Sequence, residues 1–502
     1  MTTGIITGPP FTPSYAPPAG LLSGYHLPRS LGTRVALALA ALALALALLP
    51  QAPGVSALLD AAAGQRAVYR YDRALALYAQ ARALDPADPR PACAEGAIYL
   101  LQLLPASAAS AYQGCVALAP GEASAWLGLG DALAATADTR SGAATTAWSR
   151  AAQLGSPDAW ARLAQRDERA GQLDAATRDW AQITLDGGAL GELAAAHLGL
   201  LALARGNADA ARAHLARVYV STSPFALKLR DSGVFIFDQR PPQFALDWLG
   251  IGHALLGLGL PTLALDPLRQ AVALAPANGS AHAYYGYTLW MLGQRAAARP
   301  QIAAGLVDPP YVPFADYAAG VVALGENQPT VALAHFQRGL RVDARNPALW
   351  GAAGDAALAS GQYEVAALSY RNAASESQTP DATITLIGFY ARQGIGMDDG
   401  SAGQAASAAV NRFPTSEPLV FLDAALQNTL GRTSYAQSLF DLARQLDPSD
   451  PGPWYYLGRA AASGGDVLAA SVDLNTAIAL QPKGFYASRA RAALDQLPAN
   501  TF

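Results

Sequence analysis

Two cysteines and six histidines carry the widest chemical reach in this 502-residue sequence, and neither set builds a reaction centre. The histidines are His26, His197, His214, His253, His282 and His335. None lies in H-E-x-x-H or in a ligand-spaced cluster, so no zinc-type site is expected. Cys93 and Cys115 are too few for an all-thiolate metal site. They read either as buried small hydrophobes or as a disulfide in an oxidising compartment, and spacing does not choose between the two. Gly128-Leu129-Gly130 and Gly250-Ile251-Gly252 hint at a dinucleotide loop, but both lack the third glycine and a preceding strand. There is no phosphate-binding P-loop and no G-x-S-x-G nucleophile elbow. Asp398-Asp399 reads as a solvated turn. The expectation is a chain with no catalytic residues, no metal and no cofactor, which is not an enzyme.

Composition asks instead what all the apolar residues are for. They make up 52% of the chain and charged residues only 14%. That balance excludes disorder over most of the length, because there is ample surface to bury. Glycine (46) and proline (34) recur often enough to punctuate many short elements. Thirty-four basic residues against thirty-eight acidic ones give a net charge of −4, and only Lys228 and Lys483 are lysines. Such a surface is not built to neutralise phosphates, so nucleic acid is not an expected partner.

The punctuation has a period. Pro86 and Pro120 stand 34 apart, as do Pro276 and Pro310, and again Pro448 and Pro482. Between them one skeleton recurs. Trp248, Ile251-Gly252, Leu255, Gly259, Ala264, Leu268, Ala271 and Pro276 have the same offsets as Trp454, Leu457-Gly458, Ala461, Gly465, Ala470, Leu474, Ala477 and Pro482. The pattern resembles the tetratricopeptide repeat, W-x2-L-G-x2-Y…A-x3-F…P over 34 residues. Twelve copies begin near Val55, Pro89, Ala123, Pro157, Glu192, Ala245, Gly279, Pro313, Pro347, Asp381, Glu417 and Pro451. A large-residue slot holds Trp126, Trp160, Trp248, Trp350 and Trp454, and His282 in repeat 7. The resemblance implies an all-α superhelix, an α-solenoid of about 12 helical hairpins whose first helices line the inner surface. Repeats 1–5 span 55–218 and repeats 6–12 span 244–482. Between them, 219–243 is an irregular insert with an extended-looking Val234-Phe235-Ile236-Phe237. A capping helix is expected in 483–502.

Inward positions, read by offset from the large slot, are apolar and aromatic in the middle repeats. They are Leu249, His253 and Leu256 in repeat 6; Tyr284, Tyr287, Trp290 and Met291 in repeat 7; and Phe314, Tyr317 and Val321 in repeat 8. Exposed, they would form a groove for a protein partner; otherwise, tight winding buries them against the next turn or the insert. The Lys, Arg and Asn clamp with which some such repeats hold a chaperone's terminal carboxylate is not evident. An apolar segment of a membrane-associated protein fits better, and a small apolar ligand or glycan is the alternative.

Ahead of the repeats, 1–34 reads as a disordered tail rich in Pro and Gly. Val35 to Leu49 is then fifteen residues of Val, Ala and Leu, with no charge between Arg34 and Asp60. Extended to residue 54, it is expected to form a transmembrane or signal-anchor helix. Arg29 and Arg34 favour a cytoplasmic N-terminus and an extracytoplasmic repeat body. Cleavage after Val55-Ser56-Ala57, giving a secreted protein, is the alternative.

Overall fold

The computed structural model describes residues 54–136, 142–184, 188–307, 309, 311–394 and 400–497. Helices follow one another in antiparallel pairs, from Val55–Ala67 with Tyr71–Leu84 to Pro451–Ser463 with Val467–Leu480. Twelve such pairs are present among the described residues, one per sequence repeat, and the final helix Phe485–Leu494 packs on the last pair. The structure is an all-α solenoid.

Three local rules produce each pair. Prolines sit in the first turn of many helices, where the missing N–H would be unpaired anyway. Side chains cap others: Asn278 accepts a bond from the Ala281 N–H, and Asp466 from that of Ala469. The connection inside a pair turns through a left-handed residue, Gly259 (φ 80°) in repeat 6 and Gly293 (φ 75°) in repeat 7. Repeat 2 puts Leu103 (φ 55°) at the equivalent turn.

Packing within a pair depends on a small residue facing a bulky one. A Cβ added to Gly320 would lie 2.4 Å from the Phe336 ring, and one added to Gly354 would lie 2.6 Å from Tyr370. The first helix therefore approaches its partner closely enough to bury that ring completely. First helices of neighbouring repeats also touch each other, as Gly279–Met291 touches Pro313–Gly325, whereas consecutive second helices stand further apart. The array accordingly curves with the first helices on the inside.

The insert departs from its expected form. Val234-Phe235-Ile236-Phe237 is not extended: Pro224–Asp231 is a helix, and Val234–Ile236 is a 3-10 turn. Ser223 caps that helix, and Gly233 (φ 73°) reverses the chain so that Val234 is fully buried. Asp238 anchors the return. Its carboxylate accepts a 2.8 Å bond from the Tyr219 hydroxyl, and its carbonyl accepts one from Arg212. Arg230 donates to the Tyr219 carbonyl at 2.7 Å.

Cys93 and Cys115 are joined by a disulfide that links the two helices of repeat 2, with Cα atoms 5.2 Å apart. No helix among the described residues is long and apolar enough to cross a membrane. The apolar run Val35–Leu49, the tail before it and the Asp398-Asp399 turn lie outside the described residues.

Candidate partner-binding surface

The first helices of repeats 6, 7 and 8 are Ala245–Gly257, Gly279–Met291 and Pro313–Gly325. Each packs closely on its second helix at a glycine, Gly252 on Leu268, Gly286 on Ile302 and Gly320 on Phe336, which leaves larger side chains for the inner face. On that face the rings run in sequence across three repeats. His253 lies 4.9 Å from Tyr284, which stacks on Phe314 at 3.9 Å. Phe314 meets Tyr287 edge-on at 5.3 Å and stacks beside Tyr317 at 5.7 Å. Tyr287 and Tyr317 are 5.8 Å apart, and Tyr317 reaches the buried Phe336 at 6.1 Å. Aromatic pairs at such separations reinforce one another beyond their burial.

The ten expected inward residues do not all behave alike. His253 and Met291 are exposed, and the other eight are half-buried. Leu249 and Leu256 pack against the core of repeats 4–6. Val321 packs against the long core that runs through repeats 8–11. Trp290 closes over Gly325, where an added Cβ would lie 2.6 Å from its ring, and the Arg295 guanidinium sits 5.1 Å above it. The continuous stripe thus consists of His253, Tyr284, Tyr287, Phe314 and Tyr317. Its half-buried members also pack on the cores beneath: Tyr284 on that of repeats 4–6, Tyr287 and Phe314 on that of repeats 7–8, and Tyr317 on that of repeats 8–11.

The stripe is electrically quiet. Burial raises the Tyr284 phenol above its ordinary pKa. Burial, with the neighbouring Tyr317 hydroxyl, pushes Tyr287 up to about 12. The protein mass around His253 holds its imidazole below the usual value. At neutral pH the face offers uncharged rings with hydroxyl and imidazole edges, suited to apolar segments that carry some hydrogen-bonding groups.

Polar chemistry is concentrated elsewhere. Asp316, fully buried, occupies the large-residue slot of repeat 8. Its carboxylate accepts bonds from the Tyr311 hydroxyl and from Arg338 Nε at 2.8 Å, and His335 Nδ1 lies 2.9 Å away. These partners hold the Asp316 carboxyl below its ordinary pKa against the opposing effect of burial. Glu168 accepts a 2.7 Å bond from Trp180 Nε1 and lies 2.9 Å from His197 Nδ1; the two rings stack at 4.5 Å. Repeat alignment could have flagged Asp316 as the one carboxylate in an aromatic slot. Nothing in the local sequence marks Glu168. Among the described residues, no group of three or more His, Cys, Asp or Glu side chains is arranged to hold a metal ion.

The tetratricopeptide repeat family model matches residues 249–312 and 317–382, the segment that carries the stripe. No curated protein matches the chain. Solved structures do. YrrB, described as a tetratricopeptide protein with an unusual peptide-binding site, is 15% identical and covers 45% of this chain and 97% of its own, with a TM-score of 0.30. PilF of Pseudomonas aeruginosa is 18% identical over 43% of this chain and 97% of its own, with a TM-score of 0.35. Yeast Tom70 is 14% identical over 88% of each chain, with a TM-score of 0.33. Residues 249–312 and 317–382 are thus tetratricopeptide repeats, and helical hairpins of the same build continue on either side of them.

Proposed function

We propose that the protein is a non-enzymatic scaffold, tethered to a membrane through residues 35–54, that binds an apolar segment of a membrane-associated protein along the inner wall of repeats 6–8 and supports assembly of that partner's complex. The observation that carries this reading is the unbroken run of rings from His253 to Tyr317. Aromatic residues on a preformed surface are the usual anchors of protein recognition. An extracytoplasmic body is supported by the Cys93–Cys115 disulfide, since such bonds persist mainly in oxidising compartments. The membrane tether rests on the length and purity of the Val35–Leu49 run.

The test is affinity capture from gently solubilised membranes, using the intact chain and a His253→Ser, Tyr287→Ser variant. His253 is exposed, whereas Tyr287 also packs on the core of repeats 7 and 8, so helix content and thermal unfolding of the variant are compared with those of the wild type. A defined protein retained by the wild type and lost by the variant supports the reading. Equal capture by both would refute the stripe as the binding surface. The mass of the mature chain tests the tether, because loss of residues 1–57 would mean cleavage and release.

A further inference from the structure

The two ends of the solenoid meet. Gln102, at the turn of repeat 2, is 3% exposed, and its side-chain amide donates a 2.6 Å bond to the carbonyl of Ala479, 377 positions along the chain. Ala479 and Leu480 share one apolar cluster with Ala62, Tyr71, Ala74, Tyr78 and Ile98 of repeats 1 and 2. Trp454 packs against the same cluster. The helices Tyr71–Leu84 and Val467–Leu480 are in direct contact, while the other helix contacts of at least that extent among the described residues join repeats no more than two apart.

This seam is built differently from the junctions between consecutive repeats. A cleft of about 320 Å³ runs beside it, lined by Arg70, Asp72 and Arg73 on one side and by Leu468, Val472 and Asn475 on the other. Leu468 remains 65% exposed and Val472 41% exposed, so the two faces meet over only part of their width. The hydrogen bond comes from a flexible side chain, and water can replace it when the ends part. The turn that presents Gln102 carries Leu103 in the left-handed region, a local cost borne beside the contact. A partly packed junction between two ends of a long elastic array opens at lower cost than any internal junction.

We propose that the contact between repeats 1–2 and repeat 12 is a reversible latch, closing the inner wall in one state and admitting a polypeptide to the aromatic stripe in the other. The proposal rests on the reading of that wall as the binding surface. The latch itself is measured without a partner.

The experiment uses the full chain with Arg73→Cys and Asn475→Cys, which stand exposed on opposite lips of the cleft. The paired native cysteines do not react with maleimide labels. Spin labels at the two sites are expected to give a short and a long distance population. Gln102→Ala with Leu480→Asp is expected to shift most molecules to the long one, with helix content unchanged. Linking the two introduced cysteines with a short crosslinker is expected to lower hydroxyl-radical labelling of Tyr284, Tyr287 and Phe314 at least threefold relative to the opened variant. A single short distance in both the parent and the Gln102→Ala, Leu480→Asp variant overturns the latch. So does equal labelling of the stripe in locked and opened forms. If the labelling responds but affinity capture does not, the latch stands and the binding reading fails.

Discussion

His282 Nε2 lies 2.8 Å from the carbonyl oxygen of Pro276, six residues earlier. Trp126, Trp350 and Trp454 each donate from indole Nε1 to a carbonyl at that same offset: Pro120 at 2.9 Å, Ala344 at 2.7 Å and Pro448 at 2.9 Å. The carbonyl can only accept, so the His282 proton resides on Nε2 and the imidazole replaces an indole as donor. Its Nδ1 lies 2.6 Å from Gln301 Oε1. With the proton on Nε2 it can only accept, so the link forms with the Gln301 amide turned to present its NH2, a contact an indole has no atom to make. The replacement of Trp by His in repeat 7 therefore keeps the cap on the preceding turn and adds a link to the second helix.

A prediction follows for His282→Phe, which keeps a ring but loses both nitrogens. Two lost hydrogen bonds at a nearly buried site are expected to cost about 2 kcal/mol, or about thirtyfold in amide-exchange protection across 279–307. Exchange read by mass spectrometry suits an array that need not unfold in one step. Unchanged protection would mean that the bonds contribute nothing.

Leu103 provides a gain rather than a loss. At φ 55° its Cβ crowds the carbonyl, a conformation costing about 1–2 kcal/mol for an L-residue. Its side chain is 69% exposed, so little apolar burial offsets the strain. Leu103→Gly is expected to stabilise repeat 2 by about 0.5–1 kcal/mol once the entropy of an unfolded glycine is subtracted. Raised exchange protection across 90–118 is the readout, and Leu103→Val should move it the opposite way.

These two positions show what a single sequence discloses. His282 could be placed because the repeat frame assigns it a slot, and the slot dictates volume and burial. The turn at Leu103 could be located, but its strain was invisible without a backbone angle. The inner stripe was legible as a set of offsets. Which members stack on one another and which are taken up in packing depended on the curvature of the array, and that is why Trp290 and Val321 turned inward to neighbouring repeats. The meeting of Gln102 with Ala479 follows from small rotations summed over a dozen hairpins, and no local pattern encodes it. The insert is helical despite its β-branched and aromatic residues, because Ser223-Pro224 just upstream starts a helix that the local β propensity does not reveal.

The Cys93–Cys115 bond closes a loop with a separation of 22 residues. Loop-closure entropy for that length corresponds to about 3 kcal/mol, concentrated in the repeat that carries Gln102. Reduction with dithiothreitol, or Cys93→Ala with Cys115→Ala, is expected to make 90–118 the first segment cut in limited proteolysis. The purified chain should show no free thiol after denaturation and two after reduction. Two thiols before reduction would rule the bond out.

Glu417 and Asp450 open the first helices of repeats 11 and 12 as a carboxyl pair. Burial and the adjacent Asp450 and Asp447 charges push Glu417 up to about 7, while Asp450 accepts a 2.8 Å bond from the Gly452 N–H. Burial also raises Asp450, and the favourable arrangement leaves the proton on Glu417 facing the capping carboxylate. The folded pKa of Glu417 lies above its ordinary value near 4.5. The protonated pair therefore contributes stability that is complete below about 4.5 and is lost as the pH rises through about 7. Exchange protection across 417–480, corrected for intrinsic rates, is expected to be greater at pH 5 than at pH 8. Glu417→Gln removes the second charge and should flatten that dependence while leaving the Asp450 cap intact. A wild-type profile as flat as the variant's would show that the two carboxyls do not share a proton.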